Sequence, residues 1–516
     1  MKKKVLAMAL ALSLTAGMFA GTTTVSAAGD GVLDIGYNTA IDSLTPFRSN
    51  TGREAPYIRN MYEFLGVYNS DLEMEPWAAK GWTTEDNMTY DVEIWDNIVD
   101  SAGNHITAAD IVWFIEESRE RALKPCFAKV GSVEQTGDYT FRITMNIDQI
   151  GAFETVMYDT YVVSKAAFEA SPDEFGTTLV STSAYAVTEF TASATLSFEK
   201  RDDYWQDIEN LPECVRPMVD KVTYRTITEA SQMGIALETG EIDICLRMDN
   251  STGVQFIDNP DYTVELSDGN QGWELFFSGA ESRPVGENQL LRQAICYAID
   301  TEGMVAGLCQ GAEYGDKMAD VCTSHHIGYN PAWEEEDYYN YDPEKAKELL
   351  AESGYNGEEL SILCSSSTFN SRMAQMIQAY CAAVGINVVL DSREMAQITA
   401  IRLDGTQYDM FINTIGGAYC SDHWAIRYDP NAYATGDGTS RHDYTLGDML
   451  YETWTVEGYT QENIDKVHNY IKDTAIAYGM INPKFFSVWR NDAGLENEVL
   501  EIAGYIMPTA STWTGI

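Results

Sequence analysis

The sequence predicts a mixed α/β fold of more than one domain, and three observations carry that expectation. Short alternating segments that read as strands are interleaved along the whole chain with segments of helical period. No fixed-period repeat and no low-complexity tract interrupts the interleaving. The length, 516 residues, suffices for roughly two to four domains with cores of their own.

The elements follow in chain order. Residues 32–37 alternate as a strand, and 53–65 read as a helix. Residues 88–94 (MTYDVEI) alternate again with Tyr90, Val92 and Ile94 on one side, which predicts a half-buried strand. A helix over 107–117 comes next, with Thr107 as N-cap and Asp110 completing an acidic variant of the capping box. Residues 139–145, 195–200 and 222–227 read as strands. From Gln289 the chain turns more helical, and Leu291, Ile295, Ala298 and Ile299 form one apolar stripe. Asp342 and Pro343 start a further helix, with an acceptor at the N-cap and proline where no amide hydrogen bond is needed; Gly354 stops it. Its inner stripe is Ala346, Leu349 and Leu350. A helix over 372–384 ends at Gly385 and leads into a strand over 386–390, a succession that predicts a parallel sheet. The best domain cut falls near residue 270.

Composition excludes several classes. With 45% hydrophobic and 11% aromatic residues the chain is too apolar for general disorder. Against 33 basic residues stand 79 acidic ones, and a formal charge of −46 repels phosphate backbones, so nucleic acid is excluded as a main partner. Lys2, Lys3 and Lys4 precede an apolar stretch and then Val25-Ser26-Ala27-Ala28, which reads as a secretory leader cut after Ala27. Removing three basic residues and no acid takes the charge from −46 to −49. No other segment is long and apolar enough to span a bilayer, so an exported chain is expected, extracellular or at the cell surface, and periplasmic if the cell has an outer membrane. No cysteine lies in residues 1–30 to carry a lipid anchor.

Nine cysteines are an odd number for an exported chain, so at least one lacks an intramolecular partner. Cys296 and Cys381 lie on apolar helix faces, where a thiol behaves as a small hydrophobe. Mostly free thiols are expected, with pairing left open.

Four segments follow one another along the first part of the chain: Met61-Tyr62-Glu63-Phe64-Leu65, Glu75-Pro76-Trp77-Ala78-Ala79-Lys80-Gly81-Trp82, the MTYDVEI strand and Ile106-Thr107-Ala108-Ala109-Asp110-Ile111-Val112. In this order they resemble the family 5 extracellular solute-binding proteins, the oligopeptide and dipeptide-type receptors of ABC importers. Further along, Arg201-Asp202-Asp203-Tyr204-Trp205 is similar to the family's "NPDYW" strand end, and Glu238-Thr239-Gly240-Glu241-Ile242-Asp243 to its "L-sGEiD" turn. Residues 291–300 resemble its "vRqAi-yAiD" helix, and 341–350 with Gly354-Tyr355 its "yDpekAk-LL-eaGY" segment. Each motif alone is weak, but together they run in the family's order over about residues 33–490. As local chemistry they are caps, turns and packing stripes, so they identify a fold rather than a ligand.

The resemblance implies a two-lobed, hinged α/β receptor of the periplasmic-binding-protein type. After the leader (1–27), lobe I would comprise residues 28–55, 182–268 and 485–516, with a subdomain inserted over 56–181; lobe II would be 269–484. Two crossings, near 264–274 and 478–488, would form the hinge, and ligand would lie in the cleft. A monomer that binds a peptide or other small molecule and docks on ABC transporter permease subunits is implied.

A solute cleft needs aromatic walls and a few fixed polar groups. The segment from Gly416 to Trp424 offers both. Peptide-binding members carry a "GW-aD" segment whose Asp pairs with the peptide amino terminus, and Asp422 would take that role with Tyr419 near the Trp position. Counting back from Asp429-Pro430 instead puts Ile426 or Arg427 there. In lobe I, the family's "GTGPY" loop corresponds to Ser181-Thr182-Ser183-Ala184-Tyr185, which leaves Tyr185 as a wall or as a core strand residue. Trp273, after the first crossing, and Trp424, beside Asp422 and His423, complete the candidates.

Other chemistry is thin. Cys322-Thr323-Ser324-His325-His326 has ligand types a transition metal accepts, yet no second cluster accompanies it; His423 and His442 are the nearest alternatives in sequence. Glu334-Glu335-Glu336-Asp337 lacks calcium-loop spacing and reads as a solvated turn. No cofactor and no metal are expected. No G-x-S-x-G elbow or H-E-x-x-H occurs, so a binding protein is expected rather than a secreted hydrolase. Peptide is the favoured ligand, with an oligosaccharide or another polar solute as the alternative.

Overall fold

Alternation carries Leu33, Ile35 and Tyr37 into the interior, and the strand they define, Val32–Tyr37, pairs in parallel with Lys221–Thr226 and Ile244–Met248. In the computed structural model the described residues are 32–47, 55–69, 73–212, 215–217, 219–268, 271–402, 404–416, 419–430, 443–493, 501–502 and 505–506. The expected leader, Cys214 and His442 lie outside them.

The sheet continues antiparallel from Lys221–Thr226 through Thr195–Lys200 to Tyr185–Thr191. On the other side, Ile244–Met248 pairs with the long strand Ala477–Arg490, which serves both halves of the molecule. Its later residues pair with Tyr262–Asp268, and its earlier ones with Trp273–Phe277. Gly315–Lys317 also pairs with the shared strand, and Met410–Thr414, Leu360–Ser365 and Val388–Arg393 complete the far half of this twelve-stranded sheet, the last two in parallel. The architecture is thus two-lobed α/β. Gly479 is required in the shared strand, because a Cβ there would lie 2.7 Å from the Asp320 carbonyl carbon and closer still to its oxygen.

Lobe I also carries a four-stranded antiparallel sheet, Ala79–Thr84, Thr89–Ile94, Thr140–Met145 and Val130–Gly137. Tyr90, Val92 and Ile94 are buried on one side of it, as the alternation predicts. Helix Ala108–Glu120 packs behind it, and the Thr107 N–H donates to Asp110 Oδ2 at 2.9 Å. These residues share one continuous core with Leu33, Phe198 and Tyr224.

Lobe II is covered on both faces, and its central strand, Trp273–Phe277, is accordingly buried on both sides from Glu274 onward. Leu275 and Phe277 point to the helices Gln289–Ala298, Pro343–Ser353 and Thr368–Val384, and Phe276 to the opposite core around Trp333 and Trp424. Asp342 caps its helix with hydrogen bonds from Glu344 and Lys345, and Gly354 and Gly385 take φ of 73° and 94° at the two helix ends.

Two expectations shift. The helix expected to residue 65 ends at Met61, because the Glu63 N–H donates to Thr182 Oγ1 at 3.0 Å and the Val162 N–H to the Glu63 carbonyl at 2.9 Å. Tertiary hydrogen bonds outcompete the last helical turn there. In Pro343–Ser353 only Ala346 is fully buried, and Leu349 and Leu350 are partly covered at the edge of the core.

Candidate ligand-binding seam

The lobes meet where residues 148–155 of lobe I face residues 419–422 and 454–459 of lobe II. Gly151 takes φ of 72° at the N-cap of helix Ala152–Asp159, a conformation that favours glycine. The segment turned by this glycine hydrogen-bonds to lobe II: the Ile150 N–H donates to the Trp454 carbonyl at 2.6 Å, and the Val456 N–H to Asp148 Oδ1 at 3.4 Å. Without a Cβ, Gly151 admits the ring of Tyr419.

On the lobe II side, Tyr419 is the N-cap of helix Cys420–Tyr428, and its N–H donates to Asp422 Oδ2 at 3.0 Å. An acid at that helical position satisfies an orphan donor and complements the helix dipole. Tyr419 meets Tyr459 edge-on at 5.4 Å. Burial raises the pKa of the Tyr419 hydroxyl, with the Glu154 and Asp422 charges adding to it. Tyr68 of lobe I is raised by burial and by Tyr419, Glu154 and Asp422, so these four groups from two lobes share one electrostatic neighbourhood. Burial also pushes the Glu154 carboxyl up. Phenol walls and two carboxyl groups suit a ligand that presents donors, above all a cationic amine.

The sequence-predicted residues fall into three groups. Tyr419 and Asp422 stand at the seam. Trp273 is half-buried in lobe II, its ring 5.0 Å from Phe369 and its Nε1–H donating to Asn370 Oδ1 at 3.0 Å. Tyr185 and Trp424 are in the cores: Tyr185 donates to the Val219 carbonyl at 2.8 Å, and Trp424 is completely enclosed. The loop before Tyr185 explains the loss of glycine there, since Ser181, Thr182 and Ser183 are buried and hydrogen-bonded to residues 187, 162 and 60.

Sequence reasoning missed Tyr68, Gly151, Glu154 and Tyr459, which approach the seam from three separate stretches of chain. It also missed Glu274, the buried carboxyl beside Trp273. Glu274 accepts hydrogen bonds from Asn413 Nδ2 at 2.7 Å, from His423 Nε2 at 3.1 Å and from the Tyr428 hydroxyl. Burial alone would raise its pKa, but His423, Tyr428 and Arg427 together hold it below the ordinary value.

A separate cavity of about 490 Å³ lies on lobe II beside the shared strand, lined by residues including Lys317, Trp333, Glu336, Asn340, Asn482 and Lys484. Among the described residues, none before Thr301 lines it. Glu336 there pairs with Lys472, so the acidic run 334–337 is not wholly solvated. His326 is buried, accepts the Thr323 N–H at 3.1 Å and has its pKa lowered to about 3, chiefly by burial. Among the described residues no group of three or more His, Cys, Asp or Glu side chains is placed to share a metal ion. Nor is any described helix long and apolar enough to cross a membrane.

Comparison with known proteins agrees with this architecture. The profile of the bacterial extracellular solute-binding proteins, family 5 (middle), matches residues 73–433. The nickel-binding periplasmic protein of Escherichia coli (strain K12) is 24% identical over 419 residues, 74% of this chain and 73% of its own. The glutathione-binding protein GsiB of Salmonella typhimurium is 23% identical over 388 residues, 72% of this chain and 71% of its own. Among solved structures, Helicobacter pylori DppA in complex with the peptide STSA superposes with a TM-score of 0.75 at 21% identity, covering 93% of this chain and 97% of that one. Bacillus subtilis AppA in complex with a nonapeptide gives 0.73 at 16% identity, covering 94% and 97%.

Proposed function

The chain belongs to the bacterial extracellular solute-binding proteins of family 5, and from that premise we propose that it captures a peptide between its lobes and delivers it to the permease of an ABC importer. The observation that supports this most is the seam itself. Tyr68, Gly151 and Glu154 approach from one lobe and Tyr419 and Asp422 from the other, so a guest held there touches both halves only when they close. Binding then shifts an open–closed equilibrium by the difference in affinity between the two states. Asp422, with Glu154 opposite, receives the peptide amine; Tyr68 and Tyr419 flank the backbone. The ligands of several similar proteins, the peptide STSA, a nonapeptide and glutathione, favour the same class.

In this reading lobe I comprises residues 28–55, 182–268 and 485–516 with 56–181 inserted, and lobe II residues 269–484. The chain acts as an exported monomer and does not turn its ligand over. An oligosaccharide is the second reading, favoured by the tyrosine-lined walls, which stack on sugar rings as readily as on peptide planes.

Calorimetric titration with a library of short peptides and of oligosaccharides, paired with solution scattering, tests the proposal. Saturable heat with a peptide and a smaller radius of gyration supports it. Binding of a sugar alone moves the assignment to the second reading. Release of cleavage products from any of them overturns both.

A further inference from the structure

The lobe II half of the seam is held from behind by two thiols. Cys420 opens the helix that follows Tyr419, and its Sγ lies 3.0 Å from Sγ of Cys322, 98 positions earlier in the chain. That is closer than two unbonded sulfur atoms ordinarily approach. The approach is held by backbone as well as side chains: Ile327 and Tyr419 form a parallel bridge, and the Cys420 N–H donates to the Ile327 carbonyl at 3.1 Å. Both thiols are buried in the core that contains Trp333 and Trp424. The other described cysteines have no sulfur in hydrogen-bonding contact with another cysteine.

We propose that Cys322 and Cys420 are a disulfide-forming pair, closed by thiol–disulfide exchange, which ties the segment bearing Tyr419 and Asp422 to the body of lobe II. One thiol displaces a thiol from a low-molecular-weight or protein disulfide, giving a mixed disulfide. The second then attacks the protein sulfur of that bond and releases the other thiol. The two cysteines lose two electrons and two protons, and the donor disulfide gains them as two thiols. Because both sulfurs are enclosed in the finished fold, the exchange takes place as the chain folds or when the segment opens locally. The bond itself does not depend on which ligand the seam takes.

The test is a thiol count on the full chain. Protein reduced, unfolded and then refolded with a mixture of reduced and oxidised glutathione is denatured and alkylated, and its peptides are mapped. Nine cysteines alkylate in the reduced control, and two fewer are expected after refolding, with the 322 and 420 peptides recovered joined. A thiol reductant should lower the thermal midpoint of the refolded wild type and leave that of Cys322→Ser unchanged. Should the serine variant fold poorly, the peptide map of the wild type decides the matter alone. Nine alkylated cysteines after refolding, or a link that leaves 322 and 420 free, overturns the proposal, whatever the titrations of the seam report.

Discussion

Gly151 of lobe I lies directly against the ring of Tyr419 of lobe II: a Cβ at position 151 would come to 2.9 Å of Tyr419 Cδ2 and closer still to Cε2. The contact needs both the missing side chain and the φ of 72° that glycine accepts at little cost. Gly151→Ala therefore adds a left-handed strain of about 1–2 kcal/mol and forces the tyrosine ring aside. The expected outcome is a loss of ligand affinity of roughly tenfold or more, about 1.4 kcal/mol, together with weaker compaction on saturation in solution scattering. Unchanged affinity would mean that the bound state does not use this contact.

Tyr419 and Trp424 stand five positions apart on one segment and both are buried, Tyr419 against Gly151 at the seam and Trp424 inside the lobe II core, so substitutions should separate them. Trp424 is wholly enclosed, so Trp424→Ala leaves a large cavity and should cost about 3–5 kcal/mol in urea unfolding. Tyr419→Phe keeps the ring and removes the hydroxyl at the seam, so stability should hold within about 1 kcal/mol while ligand affinity falls. A Tyr419→Phe variant that binds normally would remove the hydroxyl from the site.

That contrast also explains what could be read in advance. Capping residues such as Thr107, Asp342 and Gly354 act through neighbours in sequence, so their helices were legible within a few residues. The helix end at Met61 was not, because the hydrogen bonds that fix it come from Thr182 and Val162. The same holds at the site. Asp422 is proposed from a local motif, whereas Glu154 and Tyr68 come near it only by the packing of one lobe on the other. Trp424 looked like a binding residue because the sequence shows its polar neighbours and not the core of Trp333, Leu446 and Leu450 that encloses it.

Glu63 makes stability depend on pH in an unusual direction. It is fully buried, with Trp205 Nε1–H donating to Oε1 at 2.9 Å and the Tyr204 hydroxyl on the same oxygen. Burial outweighs these bonds and the nearby Arg201, and raises its pKa from 4.5 to about 8. Between those values the folded chain holds a proton that the unfolded chain has lost, so stability falls as pH rises from about 4.5 to 8, by at most roughly 4–5 kcal/mol. Asp243, raised to about 6 mainly by burial, adds to the same trend at the acid end of the window. Urea unfolding across this range should show the decline, and Glu63→Gln should flatten it above pH 6. A variant with the wild-type slope would assign the trend to other groups.

Glu274 should behave with the opposite sign. His423, Tyr428 and Arg427 hold its carboxyl below the ordinary value despite complete burial, so the unfolded chain binds a proton there more readily than the folded one. Its contribution is therefore present above about pH 4.5 and is lost as pH falls through the depressed folded value. Glu274→Ala also strips Asn413, His423 and Tyr428 of a common acceptor inside lobe II, leaving buried donors unmatched, and should cost about 3–5 kcal/mol at pH 7. Glu274→Gln keeps one acceptor oxygen and should lose less. Unfolding of the wild type and Glu274→Ala at pH 7 and at pH 3 decides between charge and shape. A gap that narrows on acidification identifies the ionised carboxylate as what the pocket stabilises, and a gap of constant size would leave only the lost packing and hydrogen bonds.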